Sequence, residues 1–386
     1  MMTSPDKLLR ISDMVPVAKR RLPPFVHAYM ACGTGAEQAV SRNEERLSSV
    51  HLTPRFLRGR VSPDTSCTFL SQHYALPFGV SPIGLQSLIW PGSEKALAQA
   101  AKKFNFPYAL STVAGASIEE VAAVNNDTSW FQLYAPNDRQ IMADLLGRAK
   151  QAGMKALIVT ADVPGPSRRE AMRLAGAPIG SRNPMALTPR VFWQSMLHPH
   201  WALSVLANGG KFRFKNLETY AQKSALRNIS EFIGSQLNGS LTWDYLDEIR
   251  KEWDGPMLVK GLLSVADAER ALAAGVDGLI VSNHGGRQID AVPASIDMLG
   301  DIRKMAGNDV PIALDSGIRS GLDVARAIAS GADFVMCGRA FLFGMAAMGQ
   351  GGAEHVAAIL KDELENTMVQ LGATTLDELR DMRTDS

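Results

Sequence analysis

The feature that most constrains this chain is a unit that recurs eight times: a short apolar run ending in small or polar residues, followed by a longer segment with helical periodicity. The runs are Pro77 to Gly84, Pro107 to Thr112, Trp130 to Ala135, Ala156 to Asp162, Pro256 to Gly261, Gly278 to His284, Pro311 to Gly317, and Phe334 to Arg339. Several are apolar at consecutive positions, as in Leu279-Ile280-Val281, which suits parallel strands covered on both faces. Between them, Ser93 to Phe104 reads as an Ala-rich helix, Ser117-Ile118-Glu119-Glu120 as a capping box, and Ser264-Val265-Ala266-Asp267 as a further helix start. Open doubly wound sheets more often have about five or six strands, so the predicted fold is α/β, a closed (β/α)8 TIM barrel.

Two parts fall outside the repeat. Residues 1–76 read as helices and a hairpin leading into the barrel, which spans 77–372, and 373–386 form a C-terminal tail, all within one expected domain. Residues 163–240 make a long excursion after the fourth strand, and their Pro and Gly content predicts irregular structure. Segments of this length commonly serve as lids or binding elements.

The chain is 46% hydrophobic and 20% charged, enough apolar material for a large core, and its 40 basic and 39 acidic side chains leave a net charge of +1. No global field therefore recruits nucleic acid, and no motif for it occurs. Cys32, Cys67 and Cys337 are odd in number and form no C-x-x-C, so neither a disulfide framework nor a zinc ribbon is expected, and a reducing cytoplasm fits. Lys19-Arg20-Arg21 is followed by Leu22-Pro23-Pro24 instead of an apolar stretch, so neither secretion nor membrane spanning is expected. Gly33-Thr34-Gly35 lacks the rest of a dinucleotide fingerprint, and His198-Pro199-His200 has no further ligands in register, so no metal is expected.

In a (β/α)8 barrel the chemistry sits at the C-terminal strand ends. Those ends carry Gly84, Ser111, Gln132, Tyr134, Thr160, Asp162, Lys260, Ser282, His284, Arg287, Asp315, Arg319, Gly338 and Arg339. Taken singly, a Lys or Asp there is more often an ion pair or a helix cap, and a His a satisfied core residue. Convergence on one rim favours function, because burying so many ionisable groups is unfavourable unless a charged ligand or mutual pairing compensates. Gly317, Arg319, Gly338 and Arg339 follow strands seven and eight, where barrels frequently bind a phosphate. His284 and Arg287 join a titratable base to a guanidinium suited to a carboxylate.

With these residues in view, the sequence resembles the FMN-dependent 2-hydroxy-acid dehydrogenase and oxidase family, which includes lactate and mandelate dehydrogenases and glycolate oxidases. The resemblance rests on Ser282-Asn283-His284-Gly285-Gly286-Arg287-Gln288, Trp130-Phe131-Gln132-Leu133-Tyr134, Leu258-Val259-Lys260-Gly261 and Asp315-Ser316-Gly317-Ile318-Arg319. It implies that His284 is the catalytic base, oriented by Asp162, and that Arg287, Arg169, Tyr29 and Tyr134 bind the substrate. It implies FMN as cofactor, with Pro82, Ile83, Gly84, Ser111, Gln132, Thr160, Ser282 and Asp315 on the flavin side and Lys260 stabilising charge at its N1/C2 edge. Gly317, Arg319, Gly338 and Arg339 would hold the phosphate.

Gly84 and Val113 stand where glycolate oxidases carry larger residues, so a roomier site is expected, for L-lactate or a similar acid, with mandelate as the alternative. Electrons would pass to a quinone, another electron carrier or oxygen. The resemblance also implies a homo-oligomer, a tetramer in the family's usual form, and peripheral contact with the inner face of the cell membrane through residues 190–216. Phe192-Trp193, Trp201 and Lys211-Phe212-Arg213-Phe214-Lys215 suit such an interface, and an ordinary lid with exposed basic residues is the other reading of the same segment. A different FMN barrel enzyme acting on a diphosphate and a non-catalytic flavin-binding barrel are the rival readings.

Overall fold

A computed structural model describes residues 5–177, 188–210, 212–224 and 229–384. A hairpin of β1 (Cys67–Phe69) and β2 (Gln72–Tyr74) precedes eight parallel strands: β3 (Phe78–Val80), β4 (Tyr108–Ser111), β5 (Ser129–Leu133), β6 (Leu157–Thr160), β7 (Met257–Leu262), β8 (Gly278–Val281), β9 (Ile312–Asp315) and β10 (Phe334–Cys337). They close in chain order, with β10 bonded to both β9 and β3, which is the expected barrel.

The consecutive apolar runs are explained by burial on both sides. Ala109, Trp130, Ile158, Leu258, Ile280, Ala313 and Met336 fill the barrel's interior. Their chain neighbours Leu110, Phe131, Val159, Val259, Val281, Leu314 and Val335 pack under the surrounding helices. The hairpin stoppers the N-terminal mouth: Phe69 stacks on Phe334 at 4.9 Å between centroids, and Trp130 Nε1 donates to the Tyr74 hydroxyl at 3.2 Å. Burying such a ring stabilises the fold by roughly 2 kcal/mol. With that mouth of the barrel filled, the barrel's interior opens at the opposite one.

Between strands run the expected helices. Ser93–Phe104 is helical throughout, Ser117 and Glu120 form the reciprocal capping box of Ile118–Ala122, and Ser264 caps Val265–Ala273. Helices Ile11–Arg21, Pro24–Ala31 and Gln38–Ser48 precede the hairpin.

The excursion differs from the irregular structure expected. Its described parts hold helices Glu170–Leu174, Pro189–Met196, Pro199–Ala207, Glu218–Lys223 and Ile229–Gln236. Pro189 and Pro199 begin helices, where the absent N–H leaves no bond unmade, so prolines read as breakers act as starters. The aromatic and basic residues of 190–216 also divide differently. Trp201 is buried, edge-on to Phe25 at 5.7 Å and donating from Nε1 to the Leu88 carbonyl at 3.0 Å. Phe212 and Phe214 pack against the core, Arg213 pairs with Glu218, and Lys215 pairs with Glu120 at 2.6 Å. Lys211 lies outside the described residues. The exposed apolar face belongs instead to Phe192, Trp193, Met196, Leu197, Leu203 and Leu206. Among the described residues no helix is long and apolar enough to cross a membrane.

Candidate active site

Side chains alternate faces along a strand, so the residue two beyond each interior apolar side chain also points into the barrel, one layer nearer the open mouth. Stepping by two from Ala109, Trp130, Ile158, Leu258, Ile280 and Ala313 gives Ser111, Gln132, Thr160, Lys260, Ser282 and Asp315. The barrel's top layer is thus polar as a direct result of strand register. The same step from Gly79 and Met336 reaches Ser81, which the sequence reading passed over, and Gly338.

Lys260 and Asp315 form the centre of this layer, 3.0 Å apart and nearly buried. Asp315 also accepts from Ser81 at 2.5 Å and from Ser282 at 2.6 Å, and Lys260 donates to the Ser282 hydroxyl at 2.9 Å. Burial opposes ionisation of Asp315, but Lys260 and the Ser282 and Ser81 hydroxyls outweigh it and hold the carboxyl at about 2. Burial opposes the Lys260 ammonium as well, yet Asp315 and Asp162 raise its pKa. Lys260 is therefore a fixed cation lining the cavity.

Above this layer the chain after β8 turns sharply. His284, Gly285 and Gly286 have φ of 56°, 64° and 72°, left-handed values that a residue with a Cβ resists. Each amide of the turn is held by a side chain: His284 N–H by Ser282 Oγ at 3.0 Å, Gly285 N–H by Ser316 Oγ at 3.0 Å, and Gly286 N–H by Asn283 Oδ1 at 3.2 Å. The turn lifts the imidazole so that Nδ1 meets Asp162 Oδ1 at 2.8 Å, and His284 lines the cavity. Asp162 can approach because β7 carries an irregularity at Gly261, whose φ is 107° and whose added Cβ would lie 2.4 Å from Asp162.

The cavity together with the open solvent at its mouth spans about 820 Å3. On one side Arg287 and Arg169 stand about the Tyr29 ring, their guanidinium carbons 5.9 and 5.8 Å from its centroid. The Tyr29 hydroxyl donates to the Gly84 carbonyl at 2.8 Å. Burial and then the Arg169 charge lower the Arg287 pKa to about 10, while burial raises both Tyr29 and Tyr134. On another side Arg339 and Arg319 face the N-terminus of helix Arg339–Met348, capped by Gly338. Burial, then Arg287 and Arg319, push Arg339 well below the usual arginine value. Arg319 pairs with Glu44 at 2.9 Å, whereas Arg287 and Arg339 donate to the carbonyls of Met30, Gly285 and Cys32. A surplus of buried positive charge of this kind calls for anions.

Buried polar groups without partners show where a ligand belongs. Gln132 Nε2, Thr160 Oγ1 and Arg339 Nε are such atoms, and Asp162 Oδ2 is another. Ser111 donates to Gln132 Oε1 at 2.8 Å, which leaves the Gln132 amide free to donate upward. A planar heterocycle with carbonyl and ring-nitrogen acceptors, joined to a phosphate, would engage Gln132, Thr160, Lys260 and the helix terminus together. These residues fit FMN.

Every residue singled out from sequence stands at this mouth. Tyr29, Pro82, Ile83, Gly84, Tyr134, Arg169, Lys260, His284, Arg287, Asp315, Gly317, Arg319, Gly338 and Arg339 line the cavity, and Thr160 lines an adjoining one that shares Val113 and Tyr134. Ser111, Gln132, Asp162 and Ser282 stand beside them, bonded as described. Sequence reasoning missed Ser81 and Asn43 and gave no role to Ser316 and Asn283, which it named only within motifs; all four hold another residue in place. For Ser81 the alternation along β3 was the available signal.

The profile of the FMN-dependent dehydrogenase family matches residues 18–385. The chain is 38% identical to the L-lactate dehydrogenase of Pseudomonas entomophila (strain L48) over 369 residues, covering 95% of this chain and 96% of that one. It is 39% identical to the L-lactate dehydrogenase of Xanthobacter autotrophicus, over 95% and 94% of the two chains. The structure of the monotopic membrane protein (S)-mandelate dehydrogenase superposes with a TM-score of 0.91 at 33% identity, covering 98% of this chain and all of that one. A mandelate oxidase structure gives 0.82 at 31% identity, over 98% of both chains. Profile, relatives and geometry agree: the chain belongs to the FMN-dependent dehydrogenase family.

Proposed function

We propose that the chain oxidises a small L-2-hydroxy acid to its 2-oxo acid, with the electrons leaving for a quinone or another carrier. One observation carries this reading: a histidine oriented by a carboxylate opens onto the same cavity as two arginines that, among the described residues, have no protein carboxylate between them. The arginines suit a substrate carboxylate, and the histidine is then placed to act on the adjacent carbon.

Asp162 accepts from His284 Nδ1, which leaves Nε2 as the basic atom and stabilises the imidazolium that forms when it takes the substrate's proton. Arg287 and Arg169 hold the carboxylate, Tyr134, kept neutral by burial, supplies a hydroxyl to its oxygens, and Tyr29, also neutral, would do so by turning its hydroxyl away from the Gly84 carbonyl. Bound FMN supplies the two-electron acceptor. Lys260, held ionised by Asp315, lines the same cavity and would offset negative charge on the reduced flavin.

L-Lactate or a similar aliphatic acid is the favoured substrate, in keeping with the names of the sequence relatives, and mandelate is the second reading, supported by the solved structures and by the room beside Gly84 and Val113. The exposed face of Phe192, Trp193, Met196, Leu197, Leu203 and Leu206 supports peripheral attachment to a membrane, as the monotopic neighbour's name suggests. Assembly as a homo-oligomer, with the tetramer first, belongs to the same proposal by resemblance alone.

The test is product analysis. Purified enzyme is given L-lactate or L-mandelate with a quinone analogue, without and with air. A 2-oxo acid formed with the quinone in the absence of air is expected; hydrogen peroxide in air without quinone consumption would move the acceptor to oxygen. No 2-oxo acid from either substrate would refute the proposal.

A further inference from the structure

We infer that Asn43, on a helix outside the barrel, is a positioning residue that sets the direction of the His284 ring through Asn283 and the backbone of Gly286. The inference rests on the reading of His284 as the base.

Asn43 and Asn283 are both buried and their amides pair reciprocally: Asn43 Nδ2 donates to Asn283 Oδ1 at 2.9 Å, and Asn283 Nδ2 donates to Asn43 Oδ1 at 2.7 Å. The orientation of Asn283 follows from its other partners. Its Oδ1 accepts from Gly286 N–H at 3.2 Å, and its Nδ2 donates to the Pro293 carbonyl at 3.0 Å. Turning the amide over would set donor against donor at Gly286 and acceptor against acceptor at Pro293. Asn43 completes this latch because it offers both a donor and an acceptor on the two remaining valences.

The latch matters because of what it holds. Gly286 ends the three-residue left-handed turn that begins at His284, and its carbonyl accepts from Thr34 N–H at 3.1 Å. The N-terminal extension therefore grips Gly286 from both sides, at the carbonyl directly and at the amide through Asn43 and Asn283. Close approach is built in, since a Cβ on Gly317 would stand 2.9 Å from the Asn43 carbonyl oxygen and one on Gly33 would stand 2.8 Å from the Gly286 carbonyl oxygen. Asn43 itself does not line the cavity, so its influence on chemistry passes through the turn.

The discriminating variant is Asn43→Asp, equal in size but unable to donate. Its oxygen would face Asn283 Oδ1, so either the pair separates and the Asn283 amide loses its brace, or Asn283 turns over and withdraws Oδ1 from Gly286 N–H, which then keeps only the Asn283 carbonyl at 3.1 Å. The holoenzyme variant is expected to keep FMN and to bind the 2-oxo acid product, read from the flavin spectrum, within about threefold of wild type, because Arg287 and Arg169 are untouched. Anaerobic flavin reduction by the 2-hydroxy acid should slow by on the order of a hundredfold, the usual scale of effect for a reacting group displaced by about an ångström. The isotope effect of C2-deuterated substrate on that step should not fall below the wild-type value. Asn43→Ala, which removes the donor without adding a charge, serves if the aspartate variant does not fold, and the same split is expected. A reduction rate within threefold of wild type in a variant that holds FMN would overturn the inference. So would parallel losses of FMN, product binding and rate, which describe a merely structural residue. Failure of wild-type enzyme to be reduced by any 2-hydroxy acid would instead overturn the reading of His284 on which the inference rests.

Discussion

At the scale of single residues, the site is a set of charges kept ionised by one another. Asp315 is lowered to about 2 and Lys260 is raised, each against its own burial. A carboxyl with a depressed folded value contributes stability above its unfolded value, and this is lost as pH falls through the folded one. A raised lysine contributes stability below its unfolded value and loses it as pH rises through the folded one. The pair's contribution should thus be level between about pH 5 and 10 and decline outside that window. Asp315→Asn should cost about 3 to 5 kcal/mol near neutral pH, because buried Lys260 loses its directly paired counter-charge and keeps only the weaker pull of Asp162, and urea unfolding across pH checks both statements. Gly84 acts by shape. An added Cβ would lie 2.7 Å from Val113 Cγ2, so Gly84→Ala should narrow the cavity and raise KM for mandelate relative to lactate by roughly tenfold, read from steady-state kinetics.

Among the elements, helices Pro189–Met196 and Pro199–Ala207, with Leu197 between them, present Phe192, Trp193, Met196, Leu197, Leu203 and Leu206 to solvent, while Trp201 is driven inward as the anchor. If this face meets lipid, Trp193→Ser with Leu203→Ser should weaken sedimentation with anionic vesicles at least tenfold and leave lactate oxidation in solution unchanged. Unchanged sedimentation would show that the face does not meet lipid. This region was also the least legible in sequence. Runs such as Leu279-Ile280-Val281 announce barrel strands because burial on both faces leaves a continuous apolar signature. The excursion's short helices carry no such signature, and whether Trp201 or Trp193 is buried depends on Phe25 and Leu88, far away in the chain. The candidate residues at strand ends were legible because the barrel places polar groups there at fixed offsets, whereas Tyr29 and Arg169 entered only through the family resemblance. Ser316, Asn283 and Asn43 were not, because their role is to hold backbone amides and each other, and an asparagine pair 240 residues apart leaves no local pattern.

Over the whole molecule, the two mouths of the barrel divide the work. The hairpin and its aromatic rings close the N-terminal mouth, and the polar layer with the extension's grip on Gly286 organises the open one. The barrel was legible from its repeat, but the way the extension reaches the turn at His284 was not, since that contact joins segments the repeat does not contain. The account as a whole holds that His284 takes a proton from a 2-hydroxy acid whose carboxylate is held by Arg287 and Arg169, with reducing equivalents passing to FMN. Its most direct test is anaerobic mixing of purified wild-type and His284→Ala holoenzymes with L-lactate, followed through the flavin's visible absorption. The account predicts that the wild-type band bleaches within one turnover and that the His284→Ala band stays yellow with FMN fully retained; bleaching of both at comparable rates would contradict it.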